Sequence, residues 1–353
     1  MRLDSLFGWF RGQTVTIPPM DGALRPNTAL DDEAHLLLDT PQPDNLASDG
    51  RAILFSNGAD LRVAHGDGAT RFDAAISALA CSPDGTTAVA LDDGRILFRG
   101  GALDGKALGP TDFGGLACPT ALAFAEAGTL LVCQGSSVHR PSDWAVDLMS
   151  KGASGSVWRV DLAGGRASRL AGDLAFPYGV LLDAAGGAVV AESWRHRLLR
   201  IGPEGRIEPV LTKLPGYPAR LTVGAGGGAW LCLFAPRNRL IEFVLDEDAY
   251  RADMMRDVAR DYWIAPALSS GARFLEPLQC GGVKTMGIHK PWSPTRSYGL
   301  LVRLDRNVRP VASYHSRANG RRHGITSALE RDGRVLVTSK GGNAILGLTV
   351  LLP

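Results

Sequence analysis

Residues 79–91 read LACSPDGTTAVAL: a short apolar strand, a turn closing on Asp84-Gly85, and a second apolar strand. Glycine after Asp supplies the positive φ that a tight β-connection demands. The unit recurs as NLASDGRAILFS around Gly50, LAFAEAGTLLVCQ around Gly128, VLLDAAGGAVVAES around Gly187, LTVGAGGGAWLCLF around Gly228 and SALERDGRVLVTS around Gly333. Between these hairpins lie further alternating strands, such as SVWRVDL with RASRLAG and RLLRIGP with RIEPVLT. Six hairpins, each extended to a sheet of about four strands, predict an all-β fold, a six-bladed β-propeller, in which radial repetition protects the sheet edges.

The last hairpin and AILGLTV supply three strands of the sixth blade, and HLLLD at His35–Asp39 is expected to provide the fourth and close the ring. Residues 1–34 then form an N-terminal extension and 35–350 the propeller. Two segments interrupt the repeat, at 135–154 and at 235–297. In an up-and-down blade both fall between strands two and three, which places them over the same end of the central channel. The second contains RLIEFVLDEDAYRADMMRDVARDYW, whose Leu240, Phe243, Val244, Met254, Met255 and Val258 suit one amphipathic helix capping the mouth with its apolar stripe inward.

The 353 residues are 45% hydrophobic with a net charge of +2, which excludes a disordered chain and gives no electrostatic footprint for nucleic acid. The five cysteines (81, 118, 133, 232 and 280) show no CxxC spacing and read as reduced core thiols. Neither a signal h-region nor an apolar run of spanning length is present, so the expectation is a cytoplasmic protein with no membrane span.

PPMDGALRPNTAL, PDNLASDGR, LAFPYGVLLDAAGGAVVAESWRHRLLRI, LPGYPARL and the closing HGITSALERDGRVLVTS together resemble the strictosidine synthase-like family, which includes adipocyte plasma membrane associated protein and is related to gluconolactonases and paraoxonases. The resemblance runs from about Pro18 to Val350, outside most of the two insertions. It implies either condensation of an amine with an aldehyde or, as in the lactonase relatives, ester hydrolysis through a calcium ion at the channel mouth. Position by position the sequence departs from both. Asp44 keeps the acidic residue of the first blade, but Thr120 replaces an Asn, Tyr178 replaces the Asn of FPNGV, and Ala219-Arg220 replaces an Asp-Asn pair. Calcium needs six to eight oxygens, several from carboxylates, and a guanidinium repels it. The glutamate of the condensing enzymes maps onto Thr326, or onto Ser327 if the register slips by one, and neither is a general base at neutral pH. These departures from the family pattern lead to the expectation of no metal and no cofactor here.

The blade geometry nominates a different set for the mouth. Asp44, Thr120, Tyr178, Arg220 and His323 stand at inner-strand starts, and Glu192, His196 and Lys340 at second-strand ends. His323, Glu192 and His139 are the candidate acid-base groups, histidine because it titrates near neutrality. Asp44, Thr120, Tyr178, Arg220, Thr326, Lys340 and His196 are the candidate ligand contacts, with Arg220 suited to gripping a carboxylate. The competing reading is an internal ion-pair plug, Arg220 with Asp44 or Glu192. Trp144, Trp194, Tyr262, Trp263, Trp292 and Tyr298 lie near the mouth and could wall an apolar pocket. The expected function is binding of a small polar or anionic organic molecule for hydrolytic or carbon-nitrogen bond chemistry. The alternatives are a non-catalytic binding or scaffold protein and a calcium lactonase with relocated ligands.

Overall fold

The computed structural model describes residues 17–126, 128–183, 185–269, 283–285, 288–290, 297–317 and 320–350. Six four-stranded antiparallel sheets stand in a ring as a six-bladed propeller. The inner strands, in blade order, are Pro43–Ser48, Ile76–Cys81, Pro119–Glu126, Pro177–Leu182, Gly216–Val223 and Ile325–Arg331. His35–Asp39 pairs antiparallel with Ala344–Thr349, so the outer strand of the sixth blade comes from the N-terminal side and the ring closes non-covalently.

The hairpin glycines explain the tight connections: Gly85 has φ +87° with nothing within 4 Å of a Cβ placed there, so the backbone twist alone selects glycine. Alternation along the strands buries one row of side chains between neighbouring blades. Leu130, Val132 and Phe98, for example, pack between blades two and three. The four cysteines among the described residues are free, and burial pushes the Cys81 thiol up to about 11 and those of Cys118, Cys133 and Cys232 higher. Cys280 lies outside the described residues. Among those residues, no helix is long and apolar enough to cross a membrane.

Both interruptions lie between second and third strands, after Gln134 and after Pro236. The second corrects an expectation. Instead of one helix there are two, Arg239–Asp246 and Asp248–Asp257, broken at Glu247 (φ −93°, ψ 84°). The first is capped by Asn238, whose side chain accepts from Leu240 N. Their apolar faces do not point into the mouth. Val244 and Met254 pack with Met149 of the first insertion, while Phe243 and Val258 are exposed. The two insertions brace each other beside the channel.

Candidate functional site

Each inner strand carries a register irregularity near its start: between Asp44 and Ala47, Ile76 and Ala78, Pro119 and Ala121, Pro177 and Gly179, Pro218 and Leu221, and Ile325 and Ser327. A bulge re-aims the extra side chain out of the ladder. Ser77, Thr120, Tyr178, Arg220 and Thr326 are such unpaired residues, and Asp44 is the last paired residue before its own irregularity, so the six meet at one level of the channel. Above them is a cavity of ≈ 280 Å³ lined among others by Asp44, Ser77, Thr120, Tyr178, Arg220 and Lys340. Trp144, Phe176, Trp194 and Phe234 form its aromatic wall, and Pro141, Ser142 and Leu268 of the insertions overhang it.

Arg220 is the hub. Its Nη1 donates to Asp44 Oδ1 at 2.8 Å and lies 3.4 Å from Tyr178 Oη, and its Nη2 donates to the Ser77 carbonyl at 2.6 Å. The Thr326 carbonyl is 3.5 Å from Nη1, and the guanidinium carbon sits 4.8 Å from the centre of the Tyr178 ring. One side chain from blade five thus touches blades one, two, four and six. Lys340 Nζ takes the other Asp44 oxygen at 2.9 Å. Burial alone would raise the Asp44 pKa, but Arg220 and Lys340 outweigh it and hold the carboxyl down to about 2. Burial opposes the charge of both cations, yet Asp44 keeps Arg220 and Lys340 above their ordinary values. Two cations on one carboxylate leave the channel floor one positive charge in excess.

That floor does not fit calcium. A carboxylate whose two oxygens each face a cation at 2.8 and 2.9 Å has no free edge for a further cation, and the neighbouring channel positions offer hydroxyls rather than carboxylates. Among the described residues no three His, Cys, Asp or Glu side chains gather as a metal site requires.

Of the expected contacts, Asp44, Thr120, Tyr178, Arg220 and Lys340 line the cavity. Thr326 takes part through its carbonyl and through its hydroxyl, which helps to hold the Asp44 carboxyl down and lies 3.1 Å from Thr338 Oγ1. Glu192 and His196 do not line it. Glu192 is a residue too early: Lys340 is the residue after its second strand ends, whereas Glu192 is the last residue of its own, and strand alternation sends its side chain elsewhere. There its carboxylate accepts Ala175 N at 2.8 Å and pairs with Arg195 and Arg197. Gln134, last in the second strand of blade three, accepts Cys118 N at 2.8 Å in the same way, so Glu192 repeats a structural device of the blade. His196 sits at φ +48° in the following turn, with Nδ1 3.2 Å from the Gly216 carbonyl and Nε2 3.5 Å from Glu242 of the insertion helix.

The remaining acid-base candidates are also placed away from the cavity. His323 is buried with both ring nitrogens engaged, Nδ1 2.6 Å from Ser297 Oγ and Nε2 2.9 Å from the Arg317 carbonyl. Because a carbonyl only accepts, Nε2 is the donor to Arg317, and Nδ1 faces a hydroxyl that can serve either way. His139 Nδ1 is 3.0 Å from Asp147 Oδ1, and the other Asp147 oxygen accepts from Trp194 Nε1 at 2.8 Å. The His139–Asp147 pair thus orients a wall of the cavity without entering it. Trp144 and Trp194 line the mouth as expected. Tyr262 is exposed, Trp263 packs among the insertion helices, and Tyr298 packs in blade five. Trp292 lies outside the described residues.

Ser77, Asp92, Phe176 and Phe234 line the cavity and were not anticipated. Ser77 holds the blade-two position that Thr120 and Tyr178 hold in theirs. Asp92 N bonds the Ala75 carbonyl at 2.8 Å as Lys340 N bonds that of Gly324 at 2.9 Å, so Asp92 is Lys340's counterpart. Its carboxylate accepts from Ser142 N (2.7 Å) and Ser142 Oγ (2.9 Å), tying the first insertion to the rim.

This arrangement can be set beside known propellers. Neither a family model nor a curated protein matches the sequence. Solved structures match across nearly the whole chain: a gluconolactonase from Xanthomonas campestris (13% identity, TM-score 0.56, 92% of this chain and 93% of that one) and regucalcin, a calcium-binding protein from Agrobacterium tumefaciens (14%, 0.53, 90% and 93%). A luciferin-regenerating enzyme is similar to the same degree (12%, 0.53, 90% and 95%). The chain shares the fold of the gluconolactonase-like propellers. At these identities the likeness is one of architecture, and the chemistry rests on the channel residues themselves.

Proposed function

We propose that the mouth cavity is a metal-independent site for a small organic anion, with Lys340 as the ligand-facing cation, the Arg220–Asp44 pair as its fixed floor, and the aromatic wall holding the ligand's apolar body. The observation that carries this reading is the pairing of one carboxylate with two cations at the base of a partly aromatic pocket. Lys340 is the more open of the two, its side chain 27% exposed against 10% for Arg220, so it can turn a donor toward the cavity without releasing Asp44. Asp92 at the rim keeps its negative charge, which the neutral donors Ser142 N and Oγ hold in place without cancelling, so the positive excess is confined to the floor around Asp44.

The same geometry favours binding over acid-base chemistry. Asp44 is held ionised and Lys340 held protonated around neutrality, and none of His139, His196, His323 or Glu192 lines the cavity. The strictosidine synthase-like likeness then concerns ancestry of the scaffold more than activity. A lactonase reading has the gluconolactonase fold in its favour, and the pairing of both Asp44 oxygens with Arg220 and Lys340 against it. A thermal-shift screen of small carboxylates, each paired with its neutral amide and run with EDTA and with calcium, tests the proposal. It expects stabilisation by carboxylates over amides and no effect of either metal condition. A midpoint that falls with EDTA and returns with calcium overturns it.

A further inference from the structure

Turn chemistry sets two blades apart from the other four. After the glycine that turns the first strand into the second, blade one carries Arg51 (Asp49-Gly50-Arg51) and blade six Arg334 (Asp332-Gly333-Arg334), where blades two to five carry Thr86, Thr129, Ala188 and Ala229. Blades one and six are neighbours because the ring closes. Both arginines line one cavity of ≈ 600 Å³, in the cleft between those blades at the end opposite the insertions. Ring closure also leaves this cleft open. In blades one to five the third and fourth strands follow each other in sequence, but in blade six they are Ala344–Thr349 and His35–Asp39, with no turn joining them. Leu37 is the extra residue between Leu36 and Leu38, and it lies against Gly347, where a Cβ would stand 3.1 Å from Leu37 Cδ1. It stays 39% exposed, and with Ile53, Val63 and Leu336 it gives the cleft an apolar lining.

The ionisable groups that line the cleft are Arg51, Arg331, Arg334 and Asp332, with His35 and His65. Three guanidiniums against one carboxylate leave two positive charges with both histidines neutral. Arg331 is anchored across the blade gap, Nη1 donating to Ser48 Oγ at 3.3 Å and Nη2 to the Gly50 carbonyl at 3.4 Å. Its Nε lies 3.4 Å from Asp332 Oδ2, a side chain 89% exposed, and so open a pair contributes little. Arg51 and Arg334 are exposed and enter no ion pair among the described residues. Asp49, the acid of the blade-one turn, does not line the cleft and commits Oδ1 to Arg51 N and Ala52 N at 2.8 and 2.6 Å. Guanidinium forks grip phosphate oxygens in pairs, and a phosphate monoester carries about −1.5 to −2 near neutrality, which matches this excess as a singly charged carboxylate or sulfate ester does not. We propose that the cleft between blades six and one is a binding site for a phosphate monoester with a small apolar body, the phosphate held by Arg51 and Arg334 and the body lying along Leu37, Ile53, Val63 and Leu336. The cavity volume suits such a ligand. It shares no lining residue with the mouth and does not depend on the mouth being a ligand site.

Hexyl phosphate is the probe, titrated calorimetrically into full-length Lys340→Met protein, which lacks the ligand-facing cation of the mouth. Hexyl sulfate, alike in shape with one charge fewer, and methyl phosphate, without the tail, are the comparisons. Hexyl phosphate should bind saturably and about tenfold tighter than either. Arg51→Gln and Arg334→Gln, both at exposed positions, should each weaken it about tenfold and hexyl sulfate less. Flotation with phosphatidylcholine vesicles, with and without phosphatidic acid, separates the two sources of the group. Hexyl phosphate binding without flotation assigns a soluble ester, flotation that both arginine variants lose assigns a lipid head group, and either supports the site. Absence of both saturable binding and flotation, hexyl phosphate affinity unchanged in both arginine variants, or equal affinities for hexyl phosphate and hexyl sulfate would overturn it. Carboxylate binding that depends on Lys340 in the parent protein would stand in any of those outcomes.

Discussion

Replacing Arg220 with Met removes the guanidinium from the channel floor while keeping an unbranched side chain of similar reach. The magnitude follows from what is stranded. Asp44 keeps Lys340 at 2.9 Å, so the loss stays at or below the ~3–5 kcal/mol of a buried charge deprived of its partner. The Ser77 carbonyl loses its 2.6 Å donor, worth about 1–3 kcal/mol if nothing replaces it. The contact with the Tyr178 ring adds about 1 kcal/mol. Against these, the variant is relieved of desolvating a guanidinium, so the net destabilisation should be about 3 kcal/mol. For a chain of this size that is a fall in unfolding midpoint of roughly 6 °C, at about 2 °C per kcal/mol. Calorimetry on Arg220→Met, Asp44→Asn and the double variant closes a thermodynamic cycle, with an expected coupling of about 2 kcal/mol. A coupling near zero, or an Arg220→Met midpoint equal to that of the parent, would refute the idea that the Arg220–Asp44 pair organises the channel.

Asp44, held at about 2 against an ordinary 3.8, contributes stability that is complete above about pH 4 and is lost as pH falls through 2; the difference is worth about 2 kcal/mol. Asp44→Asn should flatten the stability curve between about pH 4 and 2.5 relative to the parent, and parallel curves would contradict the assignment. Glu192→Gln should keep the bond from Ala175 N, as Gln134 keeps the one from Cys118 N in its own blade, but lose the ion pairs with Arg195 and Arg197. A destabilisation of about 1–3 kcal/mol with unchanged ligand affinity is expected in calorimetry, and a selective loss of affinity would return Glu192 to the site. At Gly341 a Cβ would run into the backbone carbonyl oxygen of Leu268, which cannot give way as a side chain could. Gly341→Ala should therefore shift the insertion segment that overhangs the mouth and weaken a mouth ligand about tenfold in a binding titration, whereas unchanged binding would show that Leu268 is no part of the wall.

The propeller was legible because its signals are local and repeated. An Asp-Gly or Gly-Gly turn between two apolar strands has few other readings, and six copies in order fix the architecture. Position in the repeat also located Asp44, Thr120, Tyr178 and Arg220 at the inner-strand starts and Lys340 just past a second strand, and the ring brings them together. The errors have physical causes. A shift of one residue reverses the side-chain face of a strand, which separates Glu192 from Lys340, and the turn conformation of His196 takes its ring out of the repeat altogether. Ser77 and Asp92 were readable from the same repeat positions but carry no unusual chemistry to draw notice. The break at Glu247 lies in a run of residues that all tolerate a helix, and periodicity cannot say that one insertion will pack on the other instead of over the channel.

The central claim is that the excess charge on the Asp44 cluster selects the ligand, and the most direct test is calorimetric titration of one carboxylate and its matched amide into the parent protein and Lys340→Met. Asp44 retains Arg220 at 2.8 Å in that variant, so the floor stays paired and only the ligand-facing cation is lost. The account predicts that the carboxylate weakens about tenfold or more, about 1.4 kcal/mol, while the amide changes less than about twofold. Equal losses for the two ligands, or no loss for the carboxylate, would contradict it.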